Sequence, residues 1–282
     1  MAAAVEAVAL RRPSTSIPAV ALHNVSCTFP ARGRSGGLYT AVKDTTILIE
    51  PGEFVSVVGP TGCGKSTLLN VASGLMQPTT GRIEIFGEPL QGINRQAGYM
   101  FQADALMPWR SALENVLAGL EYAGIDRKEA TERAMQWLAR VGLRGFEKTY
   151  PHHLSGGMRK RVALAQMLIM DPKIILMDEP FSALDIQTRQ LMENELLDLW
   201  SADRKSVLFI THDLDEAIAM SDRVVVLSAG PGTHPIGDFH IDLPRPRDVA
   251  EIRDTAGFAR LHSEIWAAMK EEVLKGYAQS RR

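Results

Sequence analysis

The stretch Gly59-Pro60-Thr61-Gly62-Cys63-Gly64-Lys65-Ser66-Thr67 constrains this chain more than any other. It follows the apolar run Phe54 to Val58 and precedes an apolar-periodic segment from Leu68 to Ala72, so strand, turn and helix are expected in that order. In the pattern G-x-x-x-x-G-K-[ST] the glycines let successive backbone N–H groups turn inward on a polyphosphate. Lys65 adds positive charge near the β- and γ-phosphates, and the Ser66 hydroxyl is placed to ligate Mg2+. Alone, the loop indicates a nucleotide and says nothing of what its hydrolysis drives.

The remaining composition excludes several classes. Lys and Arg number 31 against 33 Asp and Glu, a near balance that gives no general electrostatic footprint for nucleic acid. The chain has no apolar run of eighteen residues, so no bilayer-spanning helix is expected. Of the two cysteines, Cys27 and Cys63, the second lies inside the phosphate loop, where a disulfide would conflict with function; a reducing, cytosolic setting is expected. The start is Ala/Val-rich but carries Glu6, and Arg11-Arg12 leads into Pro13 rather than an apolar segment. It reads as a tail, not a signal.

Alternation at Leu22, Val25, Cys27 and Phe29 predicts a first strand, with Pro30 to Gly37 as a loop or hairpin tip and Thr45 to Ile49 as a second strand. Ile83 and Ile85 mark another, and Gly98 to Phe101 runs into Gln102 at a strand end. From Asp104 to Met170 the pattern turns helical. Asp126 with Glu129 resembles a capping box, Ala130, Ala134, Trp137, Leu138 and Val141 recur at helical spacing, and Gly142 ends that run. Trp109 and Trp137 are expected in the core or at an interface, and His152-His153 as a polar turn.

Three later segments carry chemistry. Leu154-Ser155-Gly156-Gly157-Met158 opens a helix, and small residues at a helix N-terminus suit an anion, although a plain Ser-Gly cap reads the same way. Lys173 to Met177 has the length and apolarity of a buried parallel strand and ends in Asp178-Glu179. Adjacent carboxylates there need compensation, which Mg2+ beside the phosphate loop supplies; Asp178 is suited to hold it through water and Glu179 to face an attacking water. Val207 to Ile210 is a further buried strand that ends at Thr211-His212-Asp213, where ligands gather in open parallel sheets, so His212 is a γ-phosphate contact candidate. Asp185 is expected to cap a helix carrying Leu191, Leu196 and Leu199. Arg223 to Leu227 is one more strand, Gly230 to Arg247 is expected to be irregular, and Ile252, Phe258, Leu261, Ile265, Trp266 and Met269 define a final amphipathic helix.

Taken together and in this order, the motifs resemble the ATP-binding subunit of an ABC transporter over roughly Ala21 to Leu243. They are the Walker A loop Gly59 to Thr67, the Q-loop residue Gln102, the signature Leu154 to Met158, the Walker B run Ile174 to Glu179, the D-loop Ser182 to Asp185 and the switch histidine His212. Phe101 to Trp109 and Leu243 to Arg247 look like the nitrate/sulfonate/taurine/bicarbonate importer ATPases, with similarity also to relatives importing pyrimidine precursors of thiamine. The resemblance implies an α/β P-loop NTPase (RecA-like) core with an antiparallel β subdomain and an inserted α-helical subdomain. The corresponding division is a tail 1–20, a nucleotide-binding domain 21–248 with helical subdomain 104–170, and a helical extension 249–282.

It further implies ATP and Mg2+ as ligands. Lys65, Gln102, Glu179 and His212 would be catalytic, and Ser66, Gln102 and Asp178 would sit at the metal. Nucleotide contacts would come from Phe29, Gly59, Pro60, Thr61, Gly62, Cys63, Gly64, Lys65, Ser66, Thr67 and Asp185, with Ser155, Gly156 and Gly157 supplied by a second copy in an ATP sandwich. Tyr39 is the alternative to Phe29 as the adenine-stacking aromatic. The implied partners are that second copy, integral-membrane permease subunits and indirectly a solute-binding protein, with no nucleic acid, at the cytoplasmic face of the inner membrane. A soluble ABC-type ATPase acting on nucleic acid is the competing class. It typically carries a long coiled coil between Walker A and signature, or a second cassette, and neither occurs here. Met158 stands where many relatives have glutamine, and Gln166 where many have arginine.

Overall fold

A computed structural model describes residues 16–31 and 37–280. Most of the expected tail and the Arg/Gly-rich loop tip therefore lie outside the described residues. In chain order the elements are β1 (Val20–Pro30), β2 (Leu38–Ile49), β3 (Phe54–Val58), α1 (Lys65–Ala72), β4 (Thr80–Ile85), β5 (Glu88–Pro89), β6 (Ala97–Met100), α2 (Ala112–Tyr122), α3 (Arg127–Arg140), α4 (Gly156–Leu168), β7 (Ile174–Asp178), α5 (Ile186–Asp203), β8 (Ser206–Ile210), α6 (Leu214–Met220), β9 (Arg223–Leu227), β10 (Pro235–His240) and α7 (Ala256–Ser280).

Two sheets organise them. The central sheet has the order β10-β9-β3-β8-β7-β6; β9, β3, β8, β7 and β6 run parallel, and β10 adds antiparallel to β9. Strands β3, β7, β8 and β9 are almost uniformly apolar because helices or the second sheet cover both faces. The second sheet is antiparallel, in the order β2-β1-β4-β5. Its apolar side shares one core with α1 and one face of the central sheet, built from Val20, Leu22, Ile49, Leu68, Leu69 and Leu176 among others. On the opposite face, Phe54, Phe181, Phe209 and Trp200 centre a second core that α5, α6 and α7 close. Helices α2, α3 and α4 bury a third around Val116, Leu138 and Val162. This is the α/β P-loop architecture with its β and α subdomains.

Four expectations fail locally. Gly230 to Arg247 is not wholly irregular, because Pro235–His240 forms β10; proline is tolerated there as the first residue of an edge strand. Asp126 caps α3 by accepting from Lys128 N and Glu129 N, but the reciprocal capping box occurs at Ser111 and Glu114 instead. Leu191 is exposed rather than buried, whereas Trp109 lies on the surface, outside the core, which leaves the interface as its alternative. Trp266 is also largely exposed, and Ile252 lies in a short 3-10 turn ahead of α7.

Candidate active site

The phosphate loop joins β3 to α1 at the C-terminal edge of the central sheet, where the parallel strands β3, β7 and β8 all end. Gly64 stands at the N-cap of α1 with φ 109°, and a β-carbon on it would lie 3.0 Å from Val42 Cγ2, so only glycine makes this turn without strain. No side chain among the described residues caps α1. Its orphan N–H groups and positive dipole end therefore point at whatever occupies the loop. The Lys65 ammonium is buried and donates to Gly59 O at 2.9 Å and Pro60 O at 3.1 Å.

From the end of β7, one strand beyond β8, Asp178 Oδ1 accepts the Ser66 hydroxyl at 3.0 Å. Burial pushes its carboxyl above the usual range, against the Ser66 bond that pulls it down, and the adjacent Glu179 charge raises it further. Glu179 adopts φ 42°, a left-handed backbone that a non-glycine residue enters only at a cost of about 1–3 kcal/mol. Its N–H is fixed on Ile210 O at 2.9 Å, which ties the residue after β7 to the last residue of the parallel strand β8. Consecutive carboxylates can therefore serve different partners. While Asp178 faces Ser66, Glu179 Oε2 meets Gln102 Nε2 at 3.3 Å and His212 Nδ1 at 3.0 Å.

Lys65, Ser66, Gln102, Asp178, Glu179 and His212 thus share one strand edge, although the chain separates the first and last widely. Ser155, Gly156 and Gly157 are held elsewhere. Ser155 Oγ caps α4 by accepting from Met158 N at 3.3 Å. A β-carbon on Gly156 would meet Leu184, and one on Gly157 would stand 2.8 Å from Thr188 Cγ2, so the signature packs on the start of α5 rather than on its own phosphate loop. Asp185 is a cap in its own chain: its carboxylate accepts from Thr188 N at 3.0 Å, which holds its pKa below the ordinary value. Phe29 and Tyr39 are paired opposite each other across β1 and β2, on one face of the sheet.

Sequence reasoning missed the supports of Gln102. Lys160, only 3% exposed, donates to Gln102 O at 2.7 Å and pairs with Asp104 at 3.2 Å. Arg159 also binds Asp104, at 2.7 Å, and donates to Leu154 O at 2.8 Å. The Q-loop and the signature helix are therefore tied through two adjacent basic residues. The available signal was a lysine inside the apolar spacing of α4.

Comparison with known proteins agrees with this geometry. Residues 42–182 match the family described as ABC transporter. An ABC transporter ATP-binding protein of Methanocaldococcus jannaschii is 46% identical over 86% of this chain and 88% of its own length. The taurine import ATP-binding protein of Escherichia coli K12 is 45% identical over 68% of this chain and 75% of its own. The nitrate import ATP-binding protein NrtC of Synechococcus elongatus is 39% identical over 82% of this chain, which spans 35% of that larger protein. A dimeric ATP-binding cassette solved in a post-hydrolysis state with ADP and Pi superposes with a TM-score of 0.70 at 33% identity, covering 80% of this chain and all of that one. The chain belongs to the ABC transporter family. Within it, this is an ATP-binding subunit, an ATP-hydrolysing cassette.

Proposed function

We propose that the chain energises import of a small anion of the nitrate, sulfonate, taurine or bicarbonate kind, hydrolysing MgATP in a head-to-tail dimer bound to permease subunits at the cytoplasmic face of the membrane. The observation that carries the catalytic part is the convergence of Gln102 and His212 on a single carboxylate oxygen of Glu179, beside Lys65. The taurine and nitrate import names of relatives support the substrate class.

In this reading the loop N–H groups and Lys65 hold the β- and γ-phosphates, while Phe29 stacks on adenine with Tyr39 beside it. The hard oxygen donors Ser66 and Asp178, already in hydrogen-bond contact, suit Mg2+, and the Gln102 amide oxygen completes the protein's share. Bound there, Mg2+ would neutralise charge on the β- and γ-phosphates. Glu179 takes a proton from water as its oxygen attacks the γ-phosphorus; the bond to the β-phosphate oxygen breaks and ADP leaves. His212 steadies the γ-phosphoryl oxygens, and Ser155, Gly156 and Gly157 of the second copy close over them. Phosphoryl transfer of this kind is mostly positioning and charge stabilisation.

Coupling would run through Gln102. Beside it, a groove of about 780 Å3 runs between the edge strand β6 and α4, lined by Tyr99, Phe101, Gln166, Met167 and Met170. Its apolar floor suits a short permease helix. Gln166 thus has a place on the groove wall.

Glu179→Gln should keep ATP binding and lose about 10²–10⁴ in turnover, the usual contribution of a general base. Steady-state ATPase near the parental rate would refute the assignment. In the assembled complex, stimulation of ATPase by taurine, sulfonates, nitrate or bicarbonate reads the substrate, and stimulation only by an uncharged solute would refute the anion class.

A further inference from the structure

The buried residues of α4 are Val162, Leu164, Ala165, Met167 and Leu168, and with these apolar side chains Lys160, a primary ammonium. Taking such a charge out of water is costly unless it is paired and hydrogen-bonded. Its partners both come from the Q-loop. Gln102 O accepts from Lys160 Nζ at 2.7 Å, and Asp104 Oδ1 lies 3.2 Å from the same nitrogen. Burial raises the Asp104 carboxyl, but the hydrogen bond from Arg159 and the Lys160 charge outweigh it and hold the pKa below the ordinary value. The contact is therefore ionic at neutral pH.

Side chains alternate along this segment. Phe101, Ala103 and Ala105 line the groove beside β6, while Gln102 reaches Glu179 and Asp104 reaches Arg159 and Lys160. One ammonium thus holds the peptide that carries the Gln102 side chain and also the next residue on the same side. With both points fixed, the Gln102 amide moves only through its own side-chain torsions.

We propose that Lys160 is a positioning residue for ATP hydrolysis, which fixes the Gln102 backbone so that the amide stays on the Glu179 carboxylate. The proposal rests on the placement of Gln102 and Glu179 at the reacting centre given above. The Lys160 ammonium is engaged by the Q-loop, so its influence reaches the reaction through Gln102. Turnover is what it controls, because the loop N–H groups and Lys65 hold the phosphates without it. A misplacement of about 1 Å in such a group costs up to about a hundredfold in rate.

The test is steady-state ATPase of the full-length chain, with kcat and KM determined separately. Lys160→Met keeps the length of the side chain and leaves Asp104 its bond to Arg159, so no carboxylate is orphaned. It should lower kcat about ten- to a hundredfold and leave KM for MgATP within about twofold. Lys160→Arg keeps the charge and the donors and should recover most of that loss. In a Gln102→Ala background, Lys160→Met should cost almost nothing further, since the residue it positions is gone. Melting of the nucleotide-free variants controls for folding, and Lys160→Gln, uncharged and one bond shorter, carries the same expectations if the Met variant melts below the parent. Parental kcat in Lys160→Met, a loss confined to KM, or a full further loss in the Gln102→Ala background overturns the proposal and leaves the placement of Gln102 intact. If Gln102→Ala alone turns over at the parental rate, that placement fails and this proposal with it.

Discussion

Helices α1 and α4 both begin at glycine-rich turns, yet they present their first turns differently. At α1 the cap is a left-handed glycine without any side-chain acceptor, and a lysine, a serine and a neighbouring aspartate stand around the free N–H groups. At α4 the Ser155 hydroxyl satisfies Met158 N, and the surroundings are the start of α5 and the basic pair Arg159 and Lys160. The first is a cradle equipped for polyphosphate and metal. The second has an anion-favouring terminus with neither lysine of the cradle type nor carboxylates for a metal. The difference teaches that, on the proposed function, the two termini would do unequal parts of one job: α1 would bind, and α4 would complete.

The strongest way to break that comparison is to disable each terminus separately. Lys65→Ala should abolish tight MgATP binding along with turnover. Ser155→Arg should leave nucleotide binding by the monomer near the parental level while removing hydrolysis, at least the ~10²–10³ expected from losing one charge-stabilising donor. Equilibrium binding of a fluorescent ATP analogue and steady-state ATPase separate these effects. Loss of monomer binding in Ser155→Arg would make α4 part of the primary cradle.

A smaller effect concerns the strand end that carries His212. Thr211 donates its hydroxyl to Glu216, and burial together with the neighbouring charges of Glu193 and Asp213 drives the Glu216 carboxyl well above its ordinary value. A folded-state pKa raised above the unfolded one gives stability that is complete below the unfolded value of 4.5 and is lost as pH rises through the folded value. The parent should therefore lose melting temperature from pH 5 upward, and Glu216→Gln should flatten that slope by a few degrees, the size of about 1 kcal/mol in a domain this long. Equal slopes in both proteins would contradict the buried-acid account. Because Glu216 touches neither terminus, the ratio of binding to turnover should not move.

A last substitution separates cap from ligand at α4. Ser155→Ala removes one side-chain cap and should cost about 1 kcal/mol of stability by denaturant unfolding. It should cost far more in turnover. Matching small losses in both would reduce Ser155 to a structural cap.

Much of the site was legible because its residues follow buried strands. A chain of apolar runs ending in Gly59-Pro60, Gln102, Asp178-Glu179 and Thr211-His212 announces parallel strands that release polar groups at one edge, and the structure brings them there. What local pattern missed depends on contacts made far along the chain. Lys160 and Gln102 lie 58 residues apart, so nothing near either one shows that a buried ammonium holds the Q-loop backbone. Likewise β10 contains Pro235 and Gly237 and looks irregular until β9 supplies its partner. The amphipathic pattern of α7 finds its core stripe but not the close approach of Gly276 to the phosphate loop, where a β-carbon would lie 3.1 Å from Pro60 Cβ. Leu191 fits the apolar spacing of α5 and is exposed all the same, since burial is decided by which helix face meets the core.

The account's central claim is that each ATP site needs α1 of one copy and α4 of another. Mixing the Lys65→Ala and Ser155→Arg chains tests it most directly. In a mixed pair, the intact phosphate loop of the Ser155→Arg chain faces the intact signature of the Lys65→Ala chain, so one complete site forms although neither chain has it alone. With both chains also carrying Glu179→Gln so that the site holds ATP without turning it over, the expected result is one ATP retained per two chains after rapid removal of free nucleotide, in a species of dimer size, when each variant by itself gives only monomer. Retention and assembly in the mixture no greater than in the separate variants would contradict the shared site.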